Sequence, residues 1–190
     1  MTGMCNPKTL LLILIITEAV MSIPVPKSKR RRKPQSHRHN LLKVHNFSHS
    51  ALQLNTPTNS RRYLLWSRNG RVYLQANRNL TPGTNQTRGP QAVFVAEMMA
   101  TGIVRLKSGS TSRYLSINQR GRLLLQRNPN DDCLFRVGVG GQGFNTYASY
   151  KYYKKTKFDI FIAVKYGGDI KSPLSTGSDQ KSILFNTLRT

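Results

Sequence analysis

From Tyr63 onward, short apolar stretches alternate with Gly, Asn and Ser at intervals of roughly 8 to 12 residues. A half-buried strand repeats its apolar side chains every second residue, whereas an amphipathic helix repeats them near 3.6. No segment longer than about ten residues holds the helical repeat between caps. The pattern predicts strands near residues 63–66, 72–75, 92–97, 103–107, 114–117, 123–126, 135–137, 146–150, 160–164 and 183–185. Asn69-Gly70 predicts a tight hairpin turn, because φ > 0 costs little at these residues. Gln119-Arg120-Gly121 and Gly167-Gly168 predict similar turns. Many short strands at this spacing imply an all-β sandwich or barrel.

A weak internal repeat narrows the choice. Val72-Tyr73-Leu74-Gln75, Tyr114-Leu115-Ser116-Ile117 and Phe161-Ile162-Ala163-Val164 each set aromatic or aliphatic residues just before a turn. Their first members lie 42 and 47 residues apart. A period in this range marks a repeat architecture. Three units of about four short strands each suggest a threefold β-trefoil. Propeller blades share the period, but three are too few to close a ring of about four to eight blades.

The N-terminal part reads differently. Lys8 precedes the apolar run Leu10-Leu11-Leu12-Ile13-Leu14-Ile15-Ile16. That run is much shorter than the roughly 20 residues a membrane span needs. A short apolar run after a positive residue is the pattern of a secretory signal peptide. Val20 and Ser22 place the expected cut near Ser22, giving a signal peptide over 1–22. The alternative is an N-terminal membrane anchor. Residues 23–60 read as a basic, flexible, disordered tail: Pro24, Pro26 and Pro34 break regular structure, and Lys29-Arg30-Arg31-Arg32-Lys33 is a block of like charge. The block suits a polyanion tether, a processing site or a nuclear import signal as well as a plain solvated tail. The growth of apolar pattern from Tyr63 sets the folded domain at 61–190.

Charge changes the list of partners. Lys and Arg total 30 against 7 Asp and Glu, a formal charge of +23. Such a charge raises on-rates toward polyanions and opposes self-association. Nucleic acid, anionic lipid and sulfated polysaccharide all satisfy it, and a secreted chain meets the last. Of the two cysteines, Cys5 lies in the expected signal peptide and leaves Cys133 alone. It reads as a buried thiol packed as a small hydrophobe. Asn46-Phe-Ser, Asn79-Leu-Thr and Asn85-Gln-Thr are N-glycosylation triplets. Asn46 and Asn85 are the preferred sites, since Pro82 closely follows the Asn79 triplet. Gly138-Val-Gly140-Gly141-Gln-Gly143 fits a dinucleotide-loop pattern, but it leads into Phe144-Asn145-Thr146-Tyr147, which reads as strand instead of helix. No paired carboxylates, nucleophile elbow or metal spacing points to an enzyme. No cofactor and no metal is expected.

Six segments then carry a resemblance. They are Leu65-Trp66-Ser67-Arg68-Asn69-Gly70, Gly102-Ile103-Val104, Arg113-Tyr114-Leu115-Ser116-Ile117-Asn118 with Gly121, Asp132-Cys133-Leu134-Phe135, Asn145-Thr146-Tyr147-Ala148-Ser149 and Gln180-Lys181-Ser182-Ile183-Leu184-Phe185. In this order and spacing, residues 63–188 resemble a fibroblast growth factor. The family's fold is the β-trefoil, in agreement with the repeat. The resemblance implies a secreted, extracellular growth factor. It would bind and activate a fibroblast growth factor receptor tyrosine kinase, with heparan sulfate as co-receptor. It implies a heparin-binding face at Asn69, Lys165, Lys171, Gln180 and Lys181, weakened by Ser175, Tyr166 and Asp169 at or near basic family positions. Lys151, Lys154, Lys155 and Lys157 would extend that face. It implies a receptor-binding face at Trp66, Phe144, Asn145 and Leu188. The partners would be the receptor ectodomain and heparan sulfate, bound by a monomer that heparin brings into pairs, with no nucleic acid and no membrane insertion. A β-trefoil polyanion-binding, lectin-like module without receptor activity is the alternative reading.

Overall fold

The structure is a computed structural model that describes residues 41–45, 56–79 and 81–190. The signal-peptide segment, the basic block and Asn46 lie outside the described residues. Twelve strands follow in order: β1 (Lys43–Val44), β2 (Asn59–Ser67), β3 (Val72–Ala76), β4 (Pro82–Asn85), β5 (Val93–Ala100), β6 (Ile103–Ser108), β7 (Tyr114–Ile117), β8 (Leu123–Gln126), β9 (Phe135–Val139), β10 (Asn145–Ser149), β11 (Tyr152–Tyr153) and β12 (Phe185–Arg189). Among the described residues the only helical turns are short 3₁₀ pieces.

Six strands close a barrel. β2 pairs β5, β5 pairs β6, β6 pairs β9, β9 pairs β10, β10 pairs β12, and β12 returns to β2, all antiparallel. Closure leaves none of these six strands with a free edge that would invite pairing with another chain. Two hairpins extend from this barrel, β3–β4 after β2 and β7–β8 after β6. A third, after β10, is held by the isolated bridges Ala148↔Phe161 and Val164↔Ile170. Three units of strand, hairpin and strand make a β-trefoil, as the repeat predicts.

The inner faces of the strands supply one core. Leu65, Phe94, Leu106, Phe135 and Phe185 are all within 1 % exposure in it. Burying each such side chain contributes roughly 1.5–3 kcal/mol. Two threefold rows of buried residues organise the interior. In the hairpins, Leu74, Leu115 and Ile162 are fully buried, as are Ala76, Ile117 and Val164 two residues later. The structural repeat therefore starts at Tyr73 in the first unit, one residue later than the sequence pattern placed it.

The second row was not seen in the sequence pattern. A 3₁₀ turn, at Pro90–Ala92, Asp131–Cys133 and Lys181–Ile183, leads into the last strand of each unit. Ala92, Cys133 and Ile183 end these turns, and Phe94, Phe135 and Phe185 follow two residues later. All six are buried to 1 % exposure or less. The signal was present as small or aliphatic, aliphatic, Phe in Ala92-Val93-Phe94, Cys133-Leu134-Phe135 and Ile183-Leu184-Phe185.

Other strand predictions shift for local reasons. Residues 160–164 make bridges instead of a ladder, although Ile160, Ile162 and Val164 are fully buried. Ile183 belongs to a 3₁₀ turn, so the last strand begins at Phe185. β4 was missed because Pro-Gly-Thr-Asn looks like a turn. It lies at the end of the sheet order, where Pro82 can open an edge strand at little cost. β1 lies within the stretch read as tail and pairs with β11, while Leu42 N donates to Gln119 O at 3.0 Å.

The first hairpin also turns differently from expectation. Ser67 pairs with Val72, leaving a four-residue loop whose left-handed residue is Arg71, at φ 56°. Gly70 is needed for space. A Cβ there would meet Val164 Cγ1 at 2.7 Å and Lys165 O at 2.9 Å. The Gly-rich segment after β9 is a hairpin connection to β10, closed by Gly140 N donating to Phe144 O at 2.6 Å.

Candidate binding faces

Of the five residues expected to bind polyanion, Asn69, Lys171 and Gln180 are held by side-chain hydrogen bonds, while Lys165 and Lys181 adjoin the same contacts along the chain. Asn69 Nδ2 donates to Val164 O at 3.0 Å, linking the first hairpin loop to the third. Val164 N donates to Ser182 O at 2.9 Å. Lys171 Nζ donates to Gln180 Oε1 at 2.6 Å and reaches Ser182 Oγ at 3.5 Å. Lys165 follows Val164 at the start of a tight turn, where its N–H donates to Asp169 O at 2.8 Å. Thr84 Oγ1 donates to Gly168 O and ties the same turn to β4.

These contacts decide which groups can meet a ligand. Lys165 and Lys181 are exposed, and Lys171 and Gln180 are half-buried. The bond from Lys171 occupies the Gln180 amide oxygen, which leaves the Gln180 NH₂ group as a donor. Ammonium and amide donors on a shallow surface are suited to sulfate oxygens, which take charge-assisted bonds. Tyr166 is 85 % exposed at the tip of the third hairpin, beside Lys165. Asp169 is exposed on the same turn, where its main-chain carbonyl accepts from Lys165 N.

The second group of lysines splits. Lys151 Nζ pairs with Asp132 Oδ1 at 2.9 Å. Burial opposes its charge, but the hydrogen bond and the charge of Asp132 more than offset this and raise its pKa. Lys154 Nζ donates to Leu174 O at 3.1 Å and Thr176 O at 2.5 Å. Both ammonium groups are thus engaged in holding the domain. Lys155 is exposed, and Lys157 Nζ lies 5.8 Å from the Phe158 ring centroid. Asp159 shapes the loop that carries them: Oδ1 accepts from Lys154 N at 2.8 Å, and Oδ2 accepts from Lys155 N at 2.8 Å and Thr156 N at 3.2 Å.

Trp66 and Leu188 lie on the outer side of the barrel wall. They pack half-buried against Leu64, Tyr73 and Ala92, apart from the main core. Strand register sets them there, since Asn186 pairs with Trp66 and Leu188 with Leu64. Tyr73 and Arg88 join this face and were not singled out in the sequence. Arg88 Nε donates to Tyr73 Oη at 2.9 Å. Phe144 is half-buried outside the core clusters, with the Arg68 guanidinium 4.8 Å over its ring. Asn145 differs from the others. Its Nδ2 donates to Thr187 Oγ1 at 2.7 Å, and it lines a recess of about 160 Å³ at one end of the barrel, together with Tyr63, Met98 and Tyr147. Thr187 also bonds Tyr147 Oη at 3.0 Å. Burial pushes the Tyr147 phenol up to about 12, so it stays neutral.

Of the preferred glycosylation sites, Asn85 is described. It is exposed at the end of β4, and its Oδ1 accepts from Thr87 N at 3.0 Å and Thr87 Oγ1 at 3.1 Å.

Comparison with known proteins agrees with this architecture. The family model described as fibroblast growth factor matches residues 27–186. Fibroblast growth factor 2 of Gallus gallus is 30 % identical over 122 residues, covering 64 % of this chain and 74 % of the relative. Fibroblast growth factor 2 of Xenopus laevis and of Bos taurus are each 30 % identical over 122 residues, covering 64 % of this chain and 76 % of the relative. The chain belongs to the fibroblast growth factor family, whose members are extracellular signalling ligands and not enzymes.

Proposed function

We propose that this growth factor is secreted and activates a fibroblast growth factor receptor tyrosine kinase, with heparan sulfate as co-receptor. The observation that supports the reading is the bonding of Asn69 to Val164 and of Lys171 to Gln180, with the exposed Lys165 and Lys181 next in sequence to Val164 and Gln180. A polyanion face built there would draw amide and ammonium donors from separate parts of the chain. When a polyanion docks there, the release of its counterions favours binding and makes it salt-dependent. The receptor would meet Trp66, Phe144 and Leu188, which lie outside the core, with Asn145 holding β10 to β12 through Thr187. Aromatic side chains of this kind concentrate interface energy, at about 2 kcal/mol or more for a hot spot.

In this reading residues 1–22 are a signal peptide cut near Ser22, 23–60 a basic tail that also contributes β1 and the first residues of β2, and 61–190 the receptor-binding domain. Asn46 and Asn85 carry glycans. Heparan sulfate brings two ligand–receptor pairs together, and the receptors' own kinases perform the phosphorylation.

The test has two arms. The double variant Lys171→Ala/Lys181→Ala should elute from heparin at lower salt; unchanged elution removes the polysaccharide face. Phe144→Ala should lose receptor phosphorylation on treated cells while its circular dichroism stays unchanged. Full activity of that variant would sink the receptor assignment.

A further inference from the structure

We propose that an N-linked glycan on Asn85 shields the outer apolar face around Trp66 and thereby weakens receptor docking. The docking part rests on the receptor reading above. The shielding part does not.

Strand register carries the argument. Asn85 on β4 is the partner of Tyr73 on β3, Tyr73 is the partner of Trp66 on β2, and Trp66 is the partner of Asn186 on β12. Direct cross-strand partners project to the same side of a sheet. Neighbouring strands lie about 4.8 Å apart, so Asn85 stands about 10 Å from Trp66 in one row. The neighbouring positions agree. Thr84 bonds Gly168 of the third hairpin, so Asn85 points away from that contact by the alternation of a strand. Leu65 and Leu74, next to Trp66 and Tyr73, are fully buried in the barrel core.

The site is suited to modification. Asn85 is exposed at the end of the sheet order, and the Thr87 hydroxyl of its triplet already lies 3.1 Å from the Asn85 amide oxygen. The donor is an oligosaccharide on a lipid pyrophosphate. Asn85 Nδ2 bonds the anomeric carbon, whose C–O bond to the pyrophosphate breaks. The pyrophosphate leaves with that electron pair, and one amide proton goes to solvent. A bulky, solvated glycan attached here has to share space with the half-buried Trp66 and the exposed Asn186, which lie beyond the buried Tyr73 in the same row.

The chain has a single tryptophan, so its fluorescence reports this face directly. The full chain is secreted from cultured animal cells, and glycopeptide mass spectrometry reads the occupancy of Asn85. Thr87→Ala removes this glycan alone, and Asn85→Gln removes it by a different change. Both variants should show stronger acrylamide quenching of Trp66 than the glycosylated chain. Both should bind the receptor ectodomain about tenfold tighter, a gain of about 1.4 kcal/mol. An unoccupied Asn85, or quenching unchanged in both variants, overturns the proposal. Stronger quenching with no receptor bound by any form supports the shield and removes the receptor reading instead. Stronger quenching with receptor affinity unchanged overturns the effect on docking.

Discussion

The Asn69 side-chain amide donates to the main-chain carbonyl of Val164 at 3.0 Å, across 95 residues of sequence. The bond joins the loops of the first and third hairpins. The third hairpin has only isolated bridges in place of a ladder, so this contact and the close approach of Gly70 help to fix Lys165.

Gly70→Ala should therefore act on both stability and binding. The added methyl falls 2.7 Å from Val164 Cγ1 and 2.9 Å from Lys165 O. Overpacking of this kind costs about 1–3 kcal/mol. Urea unfolding should show a lower midpoint, and heparin elution should move to lower salt. An unchanged midpoint would show that the two loops are not tightly coupled.

Lys154→Met should separate structure from polyanion binding. The variant loses the bonds to Leu174 O and Thr176 O, and its melting temperature should drop. Its heparin elution should change less than that of Lys181→Ala, whose lysine is exposed. A larger elution change in Lys154→Met would place that lysine on the polysaccharide face.

Cys133 should be inert in the folded protein. Burial pushes its thiol up to about 11, and it is fully buried at a threefold core position. The thiolate is the reactive form. Alkylation with iodoacetamide at neutral pH should proceed only after denaturation, as read by intact mass. Rapid labelling of the native chain would contradict this burial.

Asp159 gives the fold an acid-sensitive contribution. Burial alone would raise its pKa, but the N–H groups of Lys154, Lys155 and Thr156 outweigh it and leave the carboxyl below its usual 3.8. The ionised form thus stabilises the fold above the unfolded value, and the contribution is lost as pH falls through the lower folded value. Asp159→Asn should destabilise the protein by about 1–3 kcal/mol at neutral pH. The gap from the parent should narrow below about pH 3.8, measured by urea unfolding at several pH values. A gap constant with pH would refute the role of the charge.

Much of the fold was legible in the chain itself. Period-two apolar runs between turn residues gave most barrel strands, and the recurring hairpin motif gave the threefold unit, because local steric preferences and burial act within a few residues. Even the triplets ending at Phe94, Phe135 and Phe185 were there to be read. The glycosylation triplets were legible directly, but the expected polyanion and receptor faces only through the family resemblance.

What tertiary structure alone decided was which polar groups meet. Lys154 and Lys171 look alike in the sequence, yet one donates to the carbonyls of Leu174 and Thr176 and the other to Gln180. The row Asn186, Trp66, Tyr73 and Asn85 exists only once β12, β2, β3 and β4 lie side by side. Local chemistry determines the elements. Barrel closure and strand register determine their neighbours, because those contacts form between residues that no short-range rule connects.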